Sequence, residues 1–146
     1  IAAAIASALT TDVLTVPPDA TLEEFLTHHV LGRRVRTVAV VDGGRIVHPD
    51  GARAQIEGAL LMGLSSTLRE QTEADAAHQP RTRRFGAYGL LTIAGTPQLD
   101  VYFLPSTEAP QGLGEVALPP VAPAIAEAWY TLTGERRTRL PLLTPA

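Results

Sequence analysis

The sequence predicts an α+β fold: a mixed or antiparallel sheet with about four helices packed on it. Three observations lead there. Ile56, Leu60, Leu64 and Leu68 fall at every fourth position and form one apolar helical stripe. Gln98–Leu104 alternates, with Leu99, Val101 and Phe103 on one side and Asp100 and Tyr102 on the other, as a half-buried strand does. Asp42-Gly43-Gly44 is a tight-turn signal between two short β-rich runs, which reads as an antiparallel hairpin.

From the N-terminus, Ile1–Leu9 is a short apolar segment of helix formers, and Val13–Val16 is a strand candidate ended by Pro17-Pro18. Thr21 and Glu24 make a capping box for a helix whose apolar face is Leu22, Phe25 and Val30, with Gly32 as its stop. Val35–Val41 reads as a strand and Arg45-Ile46-Val47 as its returning partner. Asp50 is a candidate cap for a helix over 52–70, interrupted by Gly58 and Gly63. Each of these glycines costs about 1 kcal/mol relative to alanine, which suggests close packing by another element or a ligand. Residues 71–84 are polar and form a surface loop. Phe85–Ile93 is a second apolar stretch. Val121–Leu132 is a helix with Gly134 as its stop. The division expected is 1–48, a β-α-β appendage, and 49–146, the main portion.

Composition narrows the function. Apolar residues make up 45% of the 146, so a sizeable core is available. The net charge of −3 offers no basic field for a phosphate backbone, so nucleic acid is not an expected partner. Cysteine is absent, which excludes disulfides, Cys-ligated zinc and an iron–sulfur cluster bound by this chain. All twelve basic residues are arginine, so no step can use a lysine amine. No apolar run is long enough to span a bilayer, and residues 1–9 lack the basic start of a secretory signal. Cytoplasm is the expected compartment, with the periplasm left open. A start at Ile1 suggests a fragment, a processed product or an engineered chain.

The most informative chemistry lies in Gln111-Gly112-Leu113-Gly114-Glu115. Two glycines deliver a carboxylate at the end of a strip of backbone that a ligand can approach closely. In a dry pocket such a carboxylate acts as a base. The plain alternative is a solvated loop glutamate, and the flanking pattern decides between them. The histidines offer little: His28 and His29 point to different sides of a helix, His48 reads as a turn residue, and no spacing suits zinc. Arg81, Arg83 and Arg84 read as solvated charge, with a partner-subunit contact as the minority reading.

That flanking pattern resembles a known family. Val41-Asp42-Gly43-Gly44-Arg45-Ile46-Val47-His48-Pro49-Asp50-Gly51, Ala54-Gln55-Ile56-Glu57-Gly58-Ala59, Pro110-Gln111-Gly112-Leu113-Gly114-Glu115, Pro119–Ala126 and Thr133-Gly134-Glu135-Arg136 occur in its order. Residues 36–146 are similar to the C-terminal part of the molybdopterin-binding large subunit of the xanthine dehydrogenase/aldehyde oxidase family, of the isoquinoline 1-oxidoreductase type. The resemblance implies hydroxylation of an N-heteroaromatic or aldehyde carbon with water as oxygen source. It makes Glu115 the catalytic base, Gln55 a hydrogen-bonding contact to the cofactor, and Gly114 the backbone that passes beside it. At Gln55 an ordinary helix-surface glutamine is an equally open reading. The implied cofactor is molybdenum–molybdopterin in its cytosine dinucleotide form, with iron–sulfur clusters only on a partner subunit. The implied partners are the remainder of the large subunit, that iron–sulfur small subunit and the small-molecule substrate. The chain departs from the family at Gly43, where a cysteine is usual, and at His48 and Glu127, where an asparagine is. The other cofactor-cradling segments of the family are not in this chain, so isolated residues 1–146 are not expected to turn over substrate.

Residues 8–47 also resemble the first half of a CBS module, which binds adenine nucleotides. The ribose-contacting continuation of such modules is missing after Val47. This leaves two alternatives: a non-catalytic nucleotide-binding regulatory module, or an inactive chimeric domain.

Overall fold

In the computed structural model, residues 36–143 are described. The strand β1 covers Arg36–Val41, the helix α1 Pro49–Leu68, the strand β2 Gln98–Phe103 and the helix α2 Val121–Thr133. Two short 3-10 turns, Phe85–Ala87 and Ile93–Gly95, lie between α1 and β2. The expected elements over 1–9, 13–16 and 21–32 lie outside the described residues.

This corrects the expected fold class. The described residues hold two α-helices rather than about four, and the sheet is a parallel pair rather than mixed or antiparallel. The register runs from Arg36 opposite Gln98 to Val41 opposite Phe103. A parallel pair needs a long crossover, and α1 with the 69–97 excursion supplies it. β1 lies before residue 48, yet it pairs along its whole length with β2.

The antiparallel reading failed at Asp42-Gly43-Gly44. The turn does form: Gly44 has φ +68° and its N–H donates to Asp42 Oδ1 at 3.1 Å. The chain that leaves it is captured by another segment. Arg45 N–H donates to the Glu108 carbonyl at 3.0 Å, and Gln111 N–H donates to the Gly43 carbonyl at 2.9 Å. With those groups committed to the 108–111 loop, Ile46-Val47 does not fold back on β1, and Val47 is 76% exposed.

Helix α1 begins at Pro49, a favoured first helical residue. His48 rather than Asp50 is its N-cap, and Nδ1 of His48 accepts from Gly51 N–H at 2.8 Å. At the other end, Leu142 N–H donates to the Thr67 carbonyl at 2.8 Å and Leu143 N–H to the Leu68 carbonyl at 3.1 Å. The C-terminal tail thus satisfies carbonyls that the helix leaves open.

The stripe Ile56, Leu60, Leu64 and Leu68 is buried as expected, against Ala39 and Val41 of β1, Val101 of β2, and Ala117, Val121 and Trp129 from the α2 side. Helix α2 ends at Gly134, whose φ of +73° suits glycine.

The two glycines of α1 differ. A Cβ at Gly63 would lie 2.8 Å from Val121 Cγ2 and 2.9 Å from the Leu118 carbonyl, so α2 packs directly on it. A Cβ at Gly58 would meet nothing within 4 Å. Gly58→Ala is therefore expected to stabilise the chain by about 0.5–1 kcal/mol through helix propensity. Gly63→Ala makes the same gain but adds an overpacking cost of about 1–3 kcal/mol, so its net effect is destabilising. Urea unfolding of the two variants checks this: the midpoints should move in opposite directions, and a rise for Gly63→Ala would mean that Gly63 is not a tight packing contact.

Candidate functional site

The Gly-Glu loop is built from three anchors. The first is the pair of backbone hydrogen bonds that tie 108–111 to Gly43 and Arg45. Gly44 sits so close there that a Cβ would run into the Ala109 carbonyl. The second is Leu113: a Cβ on Gly43 would fall 2.9 Å from its Cδ2. Leu113 thus occupies the space a cysteine side chain would need at 43. The third is Ala117, fully buried, with Val116 partly buried beside it. Leu118 N–H closes a turn onto the Glu115 carbonyl at 3.0 Å and leads the chain into α2.

Between these anchors Gly112, Gly114 and Glu115 face outward, and all three are exposed. Neither glycine has a positive φ, and a Cβ at either would meet nothing within 4 Å. Neither the backbone conformation nor the packing of this chain requires glycine at 112 or 114. The strip is open enough for another group to come close to its backbone.

Gln55 lies on α1 and is exposed. It shares the i, i+4 row with buried Ala59 and with Gly63, against which the Leu118 carbonyl packs. The loop runs from residues just before α1 to Gly63, about 12 Å beyond Gln55 along the helix at 1.5 Å per residue. Among the described residues, neither the Gln55 nor the Glu115 side chain makes a hydrogen bond. Among the same residues, no three His, Asp or Glu side chains gather where they could hold a metal ion. The residues present fit an organic cofactor edge better than a bare ion. They provide a strip of backbone N–H and C=O groups without side chains, a neutral amide that can donate and accept, and one carboxylate.

Sequence reasoning missed the roles of Gly44 and Leu113. The Asp-Gly-Gly signal locates a turn without saying which segment will pair with it, and a single leucine between glycines gives no sign of where it packs.

The profile of the molybdopterin cofactor-binding domain matches residues 28–97. The membrane-bound aldehyde dehydrogenase [pyrroloquinoline-quinone] of Gluconacetobacter polyoxogenes is 48% identical over 103 residues, covering 70% of this chain and 13% of that protein. The isoquinoline 1-oxidoreductase subunit beta of Brevundimonas diminuta is 32% identical over 107 residues, covering 73% of this chain and 14% of that protein. Among solved structures, quinoline 2-oxidoreductase from Pseudomonas putida 86 superposes with a TM-score of 0.56 at 25% identity, over 61% of this chain and 12% of that one. The chain therefore spans about one-seventh or less of these relatives. The profile takes in residues 28–47, which the half-CBS resemblance had also claimed, so the nucleotide-binding alternative is not favoured. No helix of the described residues is long and apolar enough to cross a membrane. By sequence and by fold, this chain belongs to the xanthine dehydrogenase family of molybdopterin-binding large subunits, of which it carries a segment.

Proposed function

We propose that residues 36–146 are the C-terminal part of a molybdenum hydroxylase large subunit and form one wall of its active site. The enzyme would hydroxylate an N-heteroaromatic or aldehyde carbon with water. The observation that carries this reading is the pair Gly112 and Gly114, bare and open to the outside on a pinned loop, next to Glu115. Gly114 presents backbone to the cofactor, Gln55 hydrogen-bonds its edge, and Glu115 accepts the proton released as water attacks the substrate. When bound, the molybdenum–molybdopterin group activates water and takes up the electrons of the oxidised carbon. The name of the Gluconacetobacter relative points to a quinone cofactor; molybdopterin is favoured here because the matching domain profile is the molybdopterin one.

The finer assignments belong to the same proposal. The cofactor is the cytosine dinucleotide form, and an iron–sulfur partner subunit takes the electrons. The site is completed by the remainder of the large subunit, and the assembly is cytoplasmic. Completion from outside is needed on physical grounds. Glu115 is exposed in this segment, and a general base working near neutral pH is set up by a water-poor surrounding.

Gly114→Val tests the wall. The valine has open space in this segment, so the melting temperature of the chain should change little. In the assembled subunit the molybdenum and pterin content should fall sharply, because the side chain fills the approach. A valine variant with full cofactor content would show that nothing passes close to residue 114.

A further inference from the structure

The excursion between α1 and β2 carries a surface that the proposed site does not use. The Phe85–Gly95 segment of this excursion is fixed at Leu91. Leu91 N–H donates to Oγ of buried Ser65 at 3.0 Å, and the Leu91 side chain packs on the core. The same segment leaves large apolar side chains open: Phe85 is 83%, Ile93 86% and Leu90 43% exposed. Three large apolar side chains left open within one short anchored segment are what an interaction surface is made from.

Among the described residues, the charge beside them is not fully paired. Arg81 pairs with Glu73 at 3.7 Å, but neither Arg83 nor Arg84 has an ion-pair partner among the described residues. Arg83 gives only its Nε–H, to the Pro80 carbonyl at 3.4 Å. Both arginines, with Thr82, Phe85 and Tyr88, line a shallow recess of about 310 Å³. Aromatic and arginine side chains around a recess are the composition of interface anchors. The complement is a protein face with an apolar centre and a carboxylate rim, able to take guanidinium groups in paired hydrogen bonds.

The geometry points to Phe85, Leu90 and Ile93, flanked by Arg83 and Arg84, as a docking surface for an acid-rimmed apolar face elsewhere in the same large subunit. This rests on the reading of the chain as a segment of that subunit. The relatives supply the room for it, since this chain spans only 13% and 14% of the length of two of them.

Hydroxyl-radical footprinting of the assembled large subunit tests the proposal. Phe85 and Ile93 are expected to oxidise several-fold more slowly than exposed side chains do, at any protein concentration. The double variant Arg83→Glu, Arg84→Glu should restore their reactivity and lower the melting temperature, while Arg83→Lys with Arg84→Lys, which keeps the charge and loses the paired hydrogen bonds, should retain part of the protection. Full reactivity of Phe85 and Ile93 in the wild type overturns the docking surface. Protection that charge reversal leaves untouched overturns the acidic complement. Protection that disappears on dilution assigns the surface to a second copy, and overturns the occupant named here. Molybdenum content of the same sample reports separately on the active-site reading. Cofactor with an unprotected patch defeats only the docking surface, and a protected patch without cofactor defeats only the proposed function.

Discussion

Glu115→Gln is expected to lower kcat of the assembled enzyme by roughly 10²–10⁴-fold, the contribution of a positioned general base. That corresponds to about 3–5 kcal/mol of lost transition-state stabilisation. The substitution keeps size and shape and removes only the ability to take a proton. The segment gives no structural reason for a larger disturbance. Glu115 is exposed, and its side chain makes no hydrogen bond among the described residues, so the melting temperature should stay near that of the wild type. Cofactor content should also be unchanged, because the proposed reading gives the approach to the Gly114 backbone and not to this side chain. Steady-state turnover, molybdenum analysis and a thermal melt on one preparation separate the possibilities. Turnover within a few-fold of wild type would remove Glu115 from the role of base. A loss of both turnover and cofactor would make it a structural contact instead.

Trp129→Ala is expected to cost about 3–5 kcal/mol of stability, the range for truncating a buried large aromatic. At this chain length that is a fall of roughly 10–15 °C in melting temperature. Trp129 is only 2% exposed, on the core-facing side of α2. It also ties the helix to the C-terminal tail. Its Nε1–H donates to Glu135 Oε2 at 3.3 Å, Glu135 pairs with Arg137 at 3.1 Å, and the Arg137 guanidinium stands 5.8 Å from the indole centroid. Trp129→Phe keeps much of the buried area and loses the N–H, so it should cost less, on the order of 1–2 kcal/mol. Thermal melts of the two variants check the order. A near-neutral alanine variant would mean that α2 does not need this anchor. Because Leu118 and Val121 at the start of α2 pack on Gly63, loosening this helix should also loosen the loop that displays Glu115.

Much of the local structure was legible in the sequence. The period-four stripe identified α1 because only one face of a helix can reach the core, and Ile56, Leu60, Leu64 and Leu68 are all buried there. Gly134 ended α2 because a left-handed residue is needed at that point. The alternation read over Gln98–Leu104 identified β2, which ends one residue earlier at Phe103, because successive side chains point to opposite faces. The ordered Gly and Glu strings were enough to reach the family. Each of these signals is carried by residues close together in the chain.

The illegible part depends on which distant groups meet. The Asp42-Gly43-Gly44 turn has the same local chemistry whether the next strand returns or departs. The Glu108 carbonyl and Gln111 N–H, more than sixty residues away, decided that it departs and that the sheet is parallel. Gly58 and Gly63 look alike in sequence, and only the position of Val121 makes one a packing contact and the other open surface. The outward face of Gly112 and Gly114 and the exposure of Phe85 and Ile93 likewise emerge only in three dimensions. Periodicity and capping depend on near neighbours and are written into the sequence, whereas pairing and exposure depend on remote ones and are decided when the chain closes on itself.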